Sequence, residues 1–297
     1  MIFENESLDY LIRTGEHCIH KDYVDYLKGN KGKIIETKGD KQYKIGIIVP
    51  NYNNEKWIEK CLKSIINQTY RNYQIIVIDD CSTDNSIDIA TKYADIVIPL
   101  KQKRYNGGAR NEGYLYLDND VDYVYYVDSD DWLTNEYSLE TINDNLQGSP
   151  DVLFVGVGAD YNGIMRCFYQ PNYKDRYEAI LGWSGCYGMV VKKELALRCL
   201  FPEGTLKEDR TQHYKVCIEM NSFRCTDKLI YTWNRNNQNS VTTIRGIKWK
   251  ADTIRNWADA VEMYETYKGK DSRIDQLLMN RIVNCKMEID RNGDEQR

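Results

Sequence analysis

Short apolar runs alternate with helical patterns through the first half of the chain, and this alternation narrows the choice of fold more than any other feature. Ile45-Gly-Ile-Ile-Val49, Gln74-Ile-Ile-Val-Ile78, Asp95-Ile-Val-Ile-Pro99 and Tyr123-Val-Tyr-Tyr-Val127 are rich in strand formers and nearly free of charge. Such runs suit strands covered on both faces. Between the first two, Trp57, Ile58, Cys61, Leu62, Ile65 and Ile66 recur at three and four residues, predicting a helix over 55–68 with one apolar face. A shorter helix is expected over 87–93 and another over about 109–117. Strands alternating with helices predict an α/β fold with a mostly parallel central sheet flanked by helices, a nucleotide-binding type of layer.

The polar residues at the strand ends carry the chemistry. In open parallel sheets, ligands bind beyond the carboxyl ends of the strands. Asp79-Asp80 closes the second run, and Asp128-Ser-Asp-Asp131 closes the fourth. Carboxylates two residues apart can reach one hard cation, and Mg²⁺ or Mn²⁺ prefers such oxygen ligands beside phosphates. An acidic turn is the competing reading of Asp128–Asp131 taken alone. No Gly-x-Gly-x-x-Gly follows the first strand and no Walker loop is present, which disfavours dinucleotide enzymes and P-loop ATPases. Gly156-Val-Gly158 lacks a third glycine at the required place.

The second half is less regular. Strands are expected at 152–155, 164–169, near 189–191 and at 229–233, with helices at 193–198 and about 210–220. The second of these helices starts beside Glu208-Asp209. Asn234 to Thr243 reads as a polar loop carrying one cation, Arg235. From Ile247 two amphipathic helices follow, suited to core packing or to self-association. Residues 1–43 are polar and partly helical. Their His17-Cys-Ile-His20 cluster has no second Cys/His pair at zinc-site spacing, so packing or capping is the preferred reading. The expected organisation is an N-terminal extension over 1–43, an α/β domain over 44–246, and a helical segment over 247–297.

Composition limits the partners. A net charge of −5 gives no footprint for nucleic acid. Nine irregularly spaced cysteines suit a reducing compartment better than a disulfide framework. No run approaches the roughly 18 apolar residues of a membrane span, and the acidic start lacks the features of a signal peptide. The expected location is the cytoplasm, with a peripheral position at the inner membrane face as a variant.

Taken together, Val49-Pro-Asn-Tyr-Asn53, Ile78-Asp-Asp-Cys-Ser-Thr-Asp84, Asn106-Gly-Gly-Ala-Arg-Asn111, Asp128-Ser-Asp-Asp131 and Glu208-Asp209 resemble glycosyltransferase family 2. These are inverting nucleotide-sugar transferases of the GT-A fold, and the likeness, which spans about residues 44–243, implies a glycosyltransferase domain over 44–246 with a nucleotide-binding half 44–131 and an acceptor-binding half 132–246. The resemblance implies a role for each motif. Pro50 and Tyr52 would line the uracil pocket, Asp80 and Asp79 would meet base or ribose, and Asn106 and Arg110 would contact the nucleotide. Asp128 would lie near the ribose, Ser129 would contact the nucleotide sugar, and Asp130 with Asp128 would bind Mn²⁺ or Mg²⁺ on the pyrophosphate. Asp131 would share either task. Asp209 would be the general base with Glu208 beside it, and Arg235 would reach the donor phosphates.

Trp183 and His213 are candidate acceptor contacts, against core tryptophan and helix-surface histidine readings. Cys81 stands where the family usually has glycine, which leaves the turn intact if its backbone is not left-handed. The implied activity moves a sugar from a UDP-sugar to a hydroxyl of a glycan, lipid-linked or surface-polymer acceptor. The alternatives are a nucleotidyltransferase using the same carboxylate-bound metal and a catalytically silent nucleotide-sugar-binding subunit.

Overall fold

The computed structural model describes residues 41–294 apart from 184, 239 and 241–246; the His17–His20 cluster and most of the N-terminal extension lie outside the described residues. The described residues form one nine-stranded mixed sheet. Its parallel part is built from β1 (Ile45–Asn51), β2 (Tyr73–Asp79), β3 (Ile96–Pro99) and β4 (Tyr123–Tyr126) in the order β3-β2-β1-β4. Every residue of β1 and β4 is buried, as their unbroken apolar sequence requires. Helix α1 (Ile58–Ile66) lays Ile58, Cys61, Leu62 and Ile65 against the core. It begins three residues later than the sequence pattern suggests. α2 (Ser86–Ala90) and α3 (Tyr105–Gly113) complete the first half.

The sheet continues without a break into the second half. β4 pairs antiparallel with β8 (Met189–Lys192), and β8 pairs antiparallel with β6 (Val152–Tyr161). β6 runs parallel to β9 (Phe223–Asn234), and β7 (Ile164–Tyr169) joins the far end of β6. A two-residue strand, β5 (Trp132–Leu133), follows the Asp128–Asp131 motif and pairs antiparallel with the end of β9. The expected acceptor half therefore shares one sheet with the nucleotide half.

Three helices cover this part: α5 (Arg176–Leu181), α6 (Lys193–Arg198) and α7 (Glu208–Glu219), while α4 (Ser138–Asn145) packs on β9. α4 and α5 were not legible as helices, although the Asp175 carboxylate accepts the backbone N–H of Tyr177 and Glu178 as an N-cap. The C-terminal helices α8 (Ile247–Tyr267) and α9 (Ser272–Asp294) pack as a hairpin, with Ala260, Met263, Ile274 and Leu278 buried. Met279, Val283 and Met287 point outward from α9. No helix among the described residues is long and apolar enough to cross a membrane.

Candidate active site

The ends of β1 and β2 are tied together by aspartates. Asn51 donates to Asp79 at 2.7 Å, and Asp79 also accepts the backbone N–H (2.8 Å) and hydroxyl (2.6 Å) of Ser82. Asp80 accepts the N–H of Arg104 at 2.6 Å and of Tyr105 at 2.8 Å. Both carboxylates are buried and organise their loops; each oxygen of Asp80 keeps a lone pair for a further donor. Asp80 also explains why α3 starts at Tyr105, four residues before the expected Ala109. Pro50 is buried within β1, and Asn106 is half-buried in the first turn of α3. Tyr52 is exposed, with the Lys103 ammonium 2.8 Å from its ring centroid. Cys81, where glycine was expected to be dispensable, has φ 68°, so the condition set by the sequence is not met and the residue sits in the left-handed region.

At the centre lies Arg110, only 1 % exposed. Its Nη2 donates to Asp128 at 2.6 Å. Its Nη1 donates to Glu208 at 2.7 Å and to Asp209 at 3.2 Å. Helix α3 can bring Arg110 this close to Glu208 because Gly107 has no side chain; a Cβ there would collide with the Pro202 carbonyl and crowd Glu208. Burial works against the guanidinium charge, but Cys186, Asp128, Asp209 and Glu208 together hold its pKa well above the ordinary value. Arg110 thus joins two motifs that the sequence keeps far apart.

The two acids at the start of α7 differ in access. Glu208 is buried, and loss of hydration raises its pKa, with Arg110 opposing. The Asp209 side chain is 32 % exposed. Its carboxyl is pushed up to about 7, first by loss of hydration and then by the charge of Glu208, while Arg110 and the Cys186 thiol pull it down.

The Asp128–Asp131 motif divides its labour. Asp128 faces Arg110 and is partly open to solvent. Ser129 is buried and accepts a hydrogen bond from Asn54 at 2.7 Å. Asp130 accepts from Asn237 at 2.8 Å; loss of hydration, then the charge of Asp128, pushes it up to about 6. Asp131 is turned away into the fold. It accepts the Tyr231 hydroxyl and the Asn234 N–H at 2.7 Å, and burial lifts its pKa well above the carboxylate range. Those contacts tie Asp131 to β9, so the metal or ribose task it was expected to share would need them to break.

Among the described residues no three His, Cys, Asp or Glu side chains converge as a metal cage. Asp128 and Asp130 nonetheless fit a cation held by one or two carboxylates plus substrate phosphates, the mode Mg²⁺ prefers. Asp130 is a largely dehydrated carboxylate beside another carboxylate, with a neutral amide as its hydrogen-bond partner.

Of the remaining candidates, Arg235 is exposed, its guanidinium carbon 4.1 Å from the Trp233 ring centroid. Trp183 is half-buried beside Trp233 and Tyr187. His213 lies on neither a helix surface nor an accessible wall. It is fully buried, hydrogen bonded to the Ala179 carbonyl at 2.8 Å, and burial pushes its pKa down to about 4. That burial removes it from contact with an acceptor.

Sequence reasoning overlooked Tyr231 and Asn237, which hold Asp131 and Asp130. Tyr231 read only as a strand residue, and Asn237 as one polar loop residue among many; pairing with the aspartates is a long-range fact.

The family description "Glycosyl transferase family 2" matches residues 46–198, just over half of the chain. A glycosyltransferase of Streptococcus pneumoniae serotype 4, GlyA, is 29 % identical over 229 residues, covering 69 % of this chain and 32 % of that protein. The poly(ribitol-phosphate) beta-glucosyltransferase of Bacillus spizizenii is 35 % identical over 141 residues, 44 % of this chain and 22 % of the relative. The chain therefore spans about a third or less of the length of these two relatives. The crystal structure of S. aureus TarS 1-349 in complex with UDP-GlcNAc superposes with a TM-score of 0.67 at 22 % identity, covering 80 % of this chain and 72 % of that one. That likeness establishes the GT-A type of fold.

Proposed function

The chain belongs to glycosyltransferase family 2, and on that premise we propose that it is an inverting transferase moving a sugar from a UDP-sugar to an acceptor hydroxyl. The observation that carries this reading is the meeting of the Asp128 and Glu208-Asp209 motifs on the buried guanidinium of Arg110. Inversion needs a base on the face opposite the leaving group. Asp209 has the solvent access and the raised pKa to take the hydroxyl proton onto its carboxylate, with Glu208 held behind it by Arg110. Asp130 and Asp128 would hold Mn²⁺ or Mg²⁺, which supplies Lewis-acid neutralisation of the departing diphosphate. In this reading Pro50, Tyr52, Asp79, Asp80, Asn106 and Ser129 would take the nucleoside, and Arg235 would leave Trp233 to meet the donor phosphates. Arg110, expected from the sequence to touch the nucleotide, acts in this reading on the carboxylates.

The donor is proposed from the UDP-GlcNAc bound by TarS and the acceptor, a surface polymer or lipid-linked glycan, from the poly(ribitol-phosphate) named for the Bacillus relative. We place the enzyme in the cytoplasm or at the inner membrane face, where nucleotide sugars are made. Self-association through the C-terminal helices would use the outward Met279, Val283 and Met287; light scattering of Val283→Asp against wild type tests it.

The deciding experiment is release of UDP from a panel of UDP-sugars, with and without Mn²⁺, for wild type and Asp130→Ala. Metal-dependent release from one donor that vanishes in the variant supports the reading. Absence of UDP binding by calorimetry overturns it and turns attention to nucleoside triphosphates, the nucleotidyltransferase alternative. Binding without turnover on any acceptor would favour a silent subunit.

A further inference from the structure

A ladder of aromatic rings leads outward from the carboxylates. Tyr231, whose hydroxyl holds Asp131, stacks on Tyr187 with centroids 4.5 Å apart and planes 9° apart. Tyr187 meets Trp183 at 6.4 Å, and Trp183 meets Trp233 at 6.2 Å. Phe168 sets its ring edge-on to Trp183 at 4.7 Å and to Trp233 at 5.0 Å. Side chains alternate along a strand, so Tyr231 and Trp233 project from the same face of β9, the face that holds Asp131. The inner rungs, Tyr187 and Tyr231, are buried; the outer ones are not, and Phe168 is 38 % exposed. The Trp183 indole nitrogen is buried against Gly185, so the indole meets the outside through its ring and not through its N–H.

We infer that Phe168, Trp183 and Trp233 form a carbohydrate subsite that grips the acceptor beside the reacting hydroxyl. This rests on the transferase reading above and adds the part of the acceptor that is recognised. Two features favour a sugar or polyol chain over a protein surface. The rings offer flat apolar faces for C–H groups, and the ladder is continuous with a site that requires a hydroxyl. The Arg235 guanidinium against Trp233 stiffens one wall.

The test compares wild type, Phe168→Ala and Phe168→Tyr on an array of bacterial glycans that includes ribitol-phosphate oligomers, in the presence of UDP and Mn²⁺. UDP affinity is measured in parallel by calorimetry and reports folding of each variant. The expected result is glycan binding weakened about tenfold in Phe168→Ala, the loss of one ring contact, with UDP affinity unchanged. Phe168→Tyr, which keeps the ring, retains binding. Glycan binding by Phe168→Ala equal to wild type overturns the inference, and so does a wild type that binds UDP but no glycan on the array. Loss of UDP binding by wild type would instead sink the parent reading.

Discussion

Asp128 and Asp209 sit on opposite sides of one guanidinium, 2.6 Å and 3.2 Å from the Nη atoms of Arg110. One carboxylate belongs to the proposed metal motif and the other is the proposed base. Removing Arg110 leaves acids facing one another in a poorly hydrated space. Arg110→Met should destabilise the fold by about 3 kcal/mol, the penalty for stranding buried partners of an ion pair, softened by the partial exposure of Asp128 and Asp209. Arg110→Lys should recover part of the stability but little of the activity, because a point charge cannot reach three carboxylates with the same fork. Thermal melts and UDP release measured on both variants check this.

Asp209→Asn should lower kcat by about 10²- to 10⁴-fold, the usual contribution of a general base, and leave UDP affinity intact. The wild-type carboxyl, held at about 7, is active when deprotonated. Activity should therefore climb as pH rises through about 7 and level off above it. The residual rate of Asp209→Asn should lack that step. A step of the same shape in the variant would assign the titration elsewhere.

Chelation by EDTA should abolish UDP release, and Mn²⁺ or Mg²⁺ should restore it in wild type but not in Asp130→Ala. Asn237→Ala should raise the metal concentration needed for half-maximal activity by about 10- to 100-fold, the scale of groups that orient a ligand. A metal titration of the rate separates the two cases.

Cys81 at φ 68° carries strain that glycine would not. Cys81→Gly removes the strain but frees the unfolded chain and loses the thiol contact to the Leu100 carbonyl, so a gain of only about 0.5 kcal/mol is expected. Cys81→Val, branched at Cβ, should lose about 1 to 2 kcal/mol. Denaturant midpoints read both.

His213 has its folded pKa lowered to about 4 by burial, below the ordinary 6.5. The unfolded chain binds the extra proton first as pH falls, so this residue's contribution is present above about 6.5 and is lost between there and about 4. The loss amounts to about 3 kcal/mol. His213→Gln, which keeps a donor for the Ala179 carbonyl, should flatten that part of the stability–pH curve relative to wild type.

The parallel layer was legible because each of its strands is an apolar run bounded by turn residues, and Ile45–Val49 and Tyr123–Val127 needed no partner to be recognised. The polar strand ends were legible for the same reason. What escaped the sequence depends on contacts across the chain. β5 is two residues long and exists because Trp132 and Leu133 pair with β9. His213 sits four residues after Asp209, a spacing that puts both near one helix face, yet the helix turns that part of the face into the core. Arg110 carries a motif signature that suggests a ligand contact, while its burial among three carboxylates comes from the packing of α3 against the loop before α7.

Asp131 is held by Tyr231 and Asn234, residues that lie beyond position 198, where the match to the family description ends. A fragment cut at that position would keep the whole aspartate motif and lose the groups that quiet its innermost charge, along with both acids of α7. Such a piece would be recognisable by its sequence and yet incomplete as a physical unit. On the proposed reading, a portable unit carrying this site would extend at least to the end of β9, and swaps between relatives should exchange the aspartate motif and that strand together.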